Sequence, residues 1–518
     1  MALGITRYEG ESLTWKPCPV SPTIDGDDHQ LECSHLLVPM DQFNASNNGI
    51  NNEKHFNISI IRLRGKNATV NGNINILLNP GGPGGSGTDL VYHFGLHINS
   101  IMGENFNLLS FDPRGVNSSS PYVKCHPTPE DKALAGQNSR SRSNRSNPYN
   151  LTESSAAYWL SSLTYTQTCK DTMGEHGEYI NTPQTAADMN SILDAVGQSD
   201  LYYWGFSYGT ILGQTYATMY PERSRRVAID GVSNQFAWYT SFTNAESHDD
   251  TDKVFFGFVD ECIKAGNDSY KPAAVDINDT LSGVVRFPNV WYTIFKALYS
   301  PAVWPTLATA LAPLVQGNAT EFFLTYSLGS ETKPFNDYDE SAANDFVRYN
   351  DGVSGPARSP SSRSELISQI LAATNNTIFG QMGWRSYFDR RAWPIPQTHS
   401  FVPQRGVRTA HPLLVLSTTY DPVCPLISAR SANDAFEGSR LVEIMGYGHT
   451  SMAVPSACVE EHVRRFFVEG VLPESNVVCE PDLPLPYFPA PGNSSEEAMS
   501  PVNSTVHVRQ PWSWFMRP

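Results

Sequence analysis

The sequence predicts an α/β protein: a mostly parallel sheet covered by helices on both faces, with a helical cap inserted before the last strands. Three observations predict it. Short apolar runs, among them Asn73-Ile-Asn-Ile-Leu-Leu78 and Phe106-Asn-Leu-Leu-Ser-Phe111, end in loops with chemical content, as strands of a parallel sheet buried on both faces do. The stretch Leu201-Tyr-Tyr-Trp-Gly205-Phe-Ser207-Tyr-Gly209-Thr runs from an apolar strand through Gly-x-Ser-x-Gly into a helical pattern that ends before Pro221. Finally, residues 235–395 turn aromatic, helical and proline-rich, and the strand pattern resumes only at Pro412-Leu-Leu-Val-Leu-Ser417.

Taken in order, residues 1–50 form an N-terminal arm in which Cys18 and Cys33 are close enough to be stapled. Asp25-Gly-Asp-Asp28 lacks the spaced ligands of a calcium loop and reads as a turn. Residues 51–234 are the first part of the sheet domain. His55-Phe-Asn-Ile-Ser-Ile-Ile-Arg62 alternates and is β-branched, hence a strand. Lys124 to about Leu160 is Ser/Asn-rich and reads as a surface insertion, tied down by Cys125 and Cys169. Thr182-Pro183 opens a helix that Gly197 ends, and Arg226–Gly231 is a further strand and turn. After the cap, residues 396–480 complete the sheet domain with strands at 412–417 and 441–445 and a last amphipathic helix, braced by Cys458 and Cys479. Residues 481–518 have the Pro/Ser/Asn composition of a tail.

The 518 residues carry 36 Lys+Arg against 52 Asp+Glu, a net charge of −16. That balance argues against nucleic acid or an anionic membrane surface as a partner. No run of about 18 apolar residues occurs. Trp291 to Val315 is the most hydrophobic region, but Lys296, Pro301, Pro305 and Pro313 break it, so it reads as packed helices able to line an apolar pocket. The eight cysteines form no Cys-x-x-Cys pair, which argues against zinc ligation, and no metal or cofactor is expected. Sequons begin at Asn44, Asn57, Asn67, Asn117, Asn144, Asn150, Asn267, Asn278, Asn318, Asn375, Asn493 and Asn503. An even cysteine set with dense sequons points to a secreted, glycosylated protein in an oxidising compartment. Met1–Arg7 is not a signal peptide, so a leader missing from this chain is expected, with an intracellular protein as the alternative. Oligomeric state is not legible.

The elbow serine acquires meaning from the loops downstream of it. A serine hydroxyl needs a general base oriented by a carboxylate. In the α/β-hydrolase fold these partners come in the order Ser, acid, His, each on a loop after a strand. Asp421 lies just past the strand at 412–417, in Thr418-Thr-Tyr-Asp421-Pro-Val. His449 follows the strand at 441–445, in Gly446-Tyr-Gly448-His449-Thr450. The expected triad is therefore Ser207, Asp421 and His449, with Asp230 as the fallback acid. The backbone N–H groups of Tyr208 and Gly82 are the expected oxyanion hole. Gly82-Pro-Gly-Gly-Ser-Gly87 also matches Gly-x-Gly-x-x-Gly after a strand, but the serine, acid and histidine loops give these glycines a better-supported task than nucleotide binding. Asp112 and Arg114 are expected to form a buried pair that shapes the neighbouring loop.

Asn79-Pro-Gly-Gly-Pro-Gly-Gly-Ser-Gly87, Phe111-Asp-Pro-Arg-Gly115, Gly205-Phe-Ser-Tyr-Gly-Thr210, Ile229-Asp-Gly-Val232 and Tyr420-Asp-Pro-Val423 occur together. In them the chain resembles the tripeptidyl-aminopeptidase-like and prolyl-aminopeptidase-like α/β-hydrolases, secreted fungal and actinobacterial members above all. The resemblance runs from about residue 50 to 480, with Pro80 where much of the family has histidine. It implies a serine hydrolase that removes one to three residues from peptide N-termini, with carboxylates of the cap holding the substrate ammonium. Glu246, Asp249, Asp250, Asp252, Glu261, Asp337, Asp339 and Glu340 are all candidates for that task, and no motif selects among them. Ala392 stands where the family has a cysteine, which leaves the pairing of Cys424 open, with Cys262–Cys424 as one candidate bridge. The competing enzyme reading is an esterase, lactonase or thioesterase acting on a small acyl substrate. A catalytically dead binding module is the reading from a different class.

Overall fold

A computed structural model of the chain describes residues 10–18, 31–44, 54–67, 74–135, 150–266, 283–326, 338–482 and 487–488. The turn expected at Asp25–Asp28, the candidate Asp337, nearly all of the tail, and the sequons at Asn144, Asn267, Asn278, Asn493 and Asn503 lie outside them.

Ten strands form one sheet: β1 (Lys16–Pro17), β2 (Leu31–Pro39), β3 (His55–Leu63), β4 (Asn75–Asn79), β5 (Asn107–Phe111), β6 (Leu201–Phe206), β7 (Ser224–Asp230), β8 (Leu414–Tyr420), β9 (Arg440–Tyr447) and β10 (Val477–Cys479). Their spatial order is β1-β2-β3-β5-β4-β6-β7-β8-β9-β10. Pairing is antiparallel from β1 to β5 and parallel from there to β10. The strands are apolar on both faces because both are covered. Leu77, Leu109, Tyr203, Val227, Ile229 and Val415 face the helices Thr182–Ala195 and Tyr208–Met219. Ile76, Leu78, Leu108, Trp204, Leu414 and Leu416 point the other way, toward Gly87–Met102 and Ala457–Glu469. This is the α/β-hydrolase architecture the sequence predicts.

Strand β2 is absent from the sequence reading, and its chemistry explains why. Its buried positions include Glu32, which pairs in register with Arg62 of β3. Arg62 Nε and Nη2 donate to Glu32 Oε2 at 2.9 and 2.7 Å, and Nη1 reaches Glu11 at 2.7 Å. A buried ion pair puts charge where periodicity looks for apolar residues. A second difference concerns residues 124–160. The helix Leu151–Met173 begins inside the expected surface insertion, and its Leu151 packs with Leu366, Ile370, Trp384 and Phe388 of the cap.

Between residues 235 and 395 the described residues contain helices and no strand. A second apolar cluster there gathers Val254, Phe258, Ile294, Trp304, Leu307 and Phe379. No helix of the described residues is long and apolar enough to cross a membrane. Disulfides join Cys18 to Cys33, Cys125 to Cys169 and Cys458 to Cys479, as the spacing suggests. The candidate Cys262–Cys424 bridge does not form, and both thiols are reduced. Cys262 sits on the cap helix Thr251–Ala265, whereas Cys424 is buried in the acid loop against Ser233.

Candidate active site

Four strand ends converge on the site. After β6 the chain reverses at Ser207, which adopts φ 56° and ψ −123° before the helix Tyr208–Met219. A non-glycine residue in that region stores strain, and here the hydrogen bond from Ser207 N–H to Asp230 O (2.9 Å) holds it. A Cβ at Gly205 would meet Gly209 O at 2.5 Å, so the tight turn needs glycine there. The Ser207 side chain is half-buried at the C-terminal edge of the sheet.

The loop after β4 lies directly against this turn. A Cβ at Gly81 (φ +93°) would stand 2.4 Å from Phe206 O and 2.9 Å from Tyr208 N. The close approach of the two backbones is therefore possible only for glycine, and Gly82 (φ +108°) follows it in the chain.

Asp421 and His449 come together. His449 Nδ1 lies 2.8 Å from Asp421 Oδ2 and 3.0 Å from Oδ1. Asp421 Oδ1 also accepts the N–H groups of Val423 (3.0 Å) and Cys424 (2.8 Å), and Oδ2 that of Thr450 (3.2 Å). Three backbone donors and one imidazole thus fix the carboxylate in a buried place. His449 in turn reaches the elbow side of the sheet: a Cβ at Gly231, next to Asp230, would stand 3.3 Å from its Cε1. The ring of Tyr299 packs edge-on against the imidazole at 5.1 Å, and Tyr299 O accepts the His449 N–H at 2.8 Å.

Asp230 is committed elsewhere. It accepts Ser451 N–H (2.7 Å), Ser451 Oγ–H (2.5 Å) and Trp204 Nε1–H (3.3 Å), and burial pushes its pKa up to about 6. The expected Asp112–Arg114 pair does not form. Asp112 follows β5 and faces the helix Gly87–Met102, where Ser86 Oγ–H, Thr88 N–H and Ser118 N–H donate to it, and burial raises it to about 6. Arg114 points to the opposite side and pairs with Asp188 through Nε (2.7 Å) and Nη2 (2.5 Å). Asp112 lies against the helix Gly87–Met102 and Arg114 against the helix Thr182–Ala195, which cover opposite faces of the sheet.

Two neighbours carry no sequence signal. Asp351 accepts the Thr182 N–H (2.7 Å), the Thr182 hydroxyl (2.6 Å) and Trp238 Nε1–H (2.8 Å), while Thr182 Oγ1 lies 2.6 Å from the Tyr208 hydroxyl. The residue after the elbow serine is thereby tied to the cap. Cys424 Sγ lies 3.2 Å from Ser233 Oγ. Burial first, then the Asp421 charge, pushes that thiol well above its usual range.

The cap roofs the glycine loop. Tyr338 donates its hydroxyl hydrogen to Gly84 O, and Asn344 Nδ2 donates to Pro83 O at 3.1 Å. Of the acidic cap candidates, Glu246 accepts from Ser428, Asp249 from Asn376, and Asp252 from Thr377. Asp250 pairs with Lys253, Glu261 with Lys264, and Asp339 with Lys132. Glu340 is exposed at the start of the cap helix that meets Gly84, and its charge acts on Lys296, Tyr292 and Tyr338. The Lys296 ammonium lies 5.2 Å from the centre of the Tyr299 ring that packs on His449.

Residues 74–260 match the family profile of the alpha/beta hydrolase fold, and residues 378–479 match that of TAP-like proteins. The chain is a TAP-like α/β-hydrolase. The serine protease Hip1 of Mycobacterium tuberculosis is 24% identical over 91% of each chain. The tripeptidyl aminopeptidase of Streptomyces lividans is 23% identical over 93% of this chain and 89% of its own. Carboxylesterase B of Mycobacterium tuberculosis is 24% identical over 78% of this TAP-like hydrolase and 80% of its own length. Among solved structures, an alpha/beta hydrolase enzyme from a Medee basin deep-sea metagenome library aligns over 82% of this chain and 98% of its own, at 12% identity and a TM-score of 0.34. At that score the alignment adds no weight.

Proposed function

We propose that this TAP-like hydrolase is a serine aminopeptidase that removes short N-terminal segments, one to three residues long, through the triad Ser207–His449–Asp421. The observation that carries the reading is the 2.8 Å bond between Asp421 and His449, set at the ends of β8 and β9 beside the strained Ser207 turn. In this mechanism His449 takes the Ser207 proton as the hydroxyl attacks the scissile carbonyl, and Asp421 orients the imidazole and stabilises its charged form. The Tyr208 and Gly82 N–H groups hold the oxyanion. His449 then gives the proton to the leaving amine, and water releases the acyl-enzyme by the same steps. Glu340, at the roof over the glycine loop, is the cap carboxylate we assign to the substrate ammonium. The three disulfides support an oxidising compartment as the site of action.

The test is hydrolysis of Ala-Ala-Pro-coumarin with free and with acetylated N-terminus. Cleavage of the free form alone, with KM raised about tenfold or more by Glu340→Gln, is the expected result. Equal cleavage of both forms would overturn the aminopeptidase reading. The esterase reading has one supporting observation, the similarity to carboxylesterase B. It predicts turnover of short acyl esters with no activity on either peptide.

A further inference from the structure

Cys424 has no task in the mechanism above, yet it sits inside the site. We propose that Cys424, His449 and Asp421 form a binding site for a soft or borderline divalent cation, of the zinc or cadmium type, and that the bound cation silences the enzyme by occupying the histidine. The thiol sulfur, a ring nitrogen of His449 and a carboxylate oxygen of Asp421 lie within 4.8 Å of one another. All three side chains are almost fully buried, at 3%, 1% and 0% exposure. One sulfur, one nitrogen and one oxygen make a donor set suited to zinc or cadmium and poorly suited to magnesium or calcium. Ligand distances of about 2.0–2.3 Å place such atoms roughly 3–4 Å apart around one ion, so the three need to close by about an ångström.

Access comes beside the serine turn: Ser207 and Ser233 are both half-buried, and Ser233 Oγ lies 3.2 Å from the Cys424 sulfur. The step balances as a substitution. The cation bonds to sulfur, the S–H bond breaks, and its proton leaves to water, while a ring nitrogen of His449 and a carboxylate oxygen of Asp421 supply the other two lone pairs. A second group, Cys458, His462 and Cys479, is equally close-set, but its two sulfurs are bonded to each other.

Inhibition by the ion rests on the triad assignment, whereas binding does not, and the experiment separates them. Cadmium chloride is titrated into Ser207→Ala protein while the ultraviolet charge-transfer band of cadmium–thiolate is read. The expected band saturates at one equivalent, survives Cys262→Ala and disappears with Cys424→Ala. In the Ser207 enzyme, cadmium inhibits reversibly on addition of EDTA, and Cys424→Ala raises the half-inhibitory concentration by about tenfold or more, each protein being scaled to its own metal-free rate. Cys424→Ser replaces the alanine protein if the latter does not fold. No band in Ser207→Ala, a band that persists without Cys424, or equal inhibition with and without Cys424 overturns the site. A Cys424-dependent band in a protein that hydrolyses nothing would sustain the site and sink the proposed function instead.

Discussion

His449 Nδ1 meets Asp421 Oδ2 at 2.8 Å, although the two residues are 28 apart in sequence and follow different strands. In the proposed mechanism the opposite ring nitrogen is the base. Asp421→Asn keeps the shape but favours the wrong tautomer, so kcat should fall by about 10³–10⁴-fold with KM little changed. Steady-state kinetics on the tripeptide amide, or on an acyl ester, measure this.

Gly81→Ala should damage catalysis more than its size suggests. The added methyl collides with Phe206 O at 2.4 Å and pushes the glycine loop off the Tyr208 amide. Displacing one donor of the proposed oxyanion hole costs about 10²–10³-fold in kcat. Comparison with Gly103→Ala, where nothing lies within 4 Å of the new Cβ, controls for the strain of a positive φ (86°).

The fold was legible wherever local pattern and burial agree, as at β4, β5, β6 and the strands bearing Asp421 and His449. It failed at β2, where Glu32 and Arg62 satisfy each other inside the sheet, and at Leu151–Met173, whose polar helix packs on the cap. The strand ends that carry Ser207, Asp421 and His449 were legible because their order along the chain reflects the order of the strands. The surroundings of Asp351 and Cys424 were not, since their partners Thr182, Trp238 and Ser233 are brought near only by tertiary packing. Arg114 was legible as buried but was assigned the wrong partner, because sequence proximity to Asp112 says nothing about which way each side chain leaves the turn.

Asp188→Ala should be strongly destabilising. It strips Arg114, fully buried, of its only carboxylate among the described residues. An orphaned buried charge costs about 3–5 kcal/mol, read as a lowered denaturant midpoint in equilibrium unfolding.

Asp351→Ala orphans the Thr182 and Trp238 donors at about 1–3 kcal/mol each, and it loosens the Thr182–Tyr208 contact. Both melting temperature and kcat should fall, and Asp351→Asn, which can still accept, should recover part of each. Unchanged kcat in a folded Asp351→Ala protein would mean that Tyr208 needs no such support.

Stability should carry an unusual pH signature. Burial, and then Asp389, push Asp345 up to about 7. An unfolded aspartate titrates near about 3.9, so between roughly pH 4 and 7 the folded state binds the extra proton. The contribution of Asp345 is therefore fully present below that window and lost as pH rises through it, and Asp112 and Asp230, both at about 6, have the same sign. Asp345→Asn should gain stability relative to the unsubstituted protein as pH is raised from about 4 to 7, the span between these two values. Thermal unfolding of both proteins across that range gives the answer.

The most direct test of the central claim is covalent labelling with a fluorophosphonate, followed by mapping of the modified peptide. The account predicts one adduct, on Ser207, absent in Ser207→Ala and formed far more slowly in His449→Ala. Labelling of Ser207→Ala at the rate of the unsubstituted protein, or an adduct mapped to another residue, would contradict it.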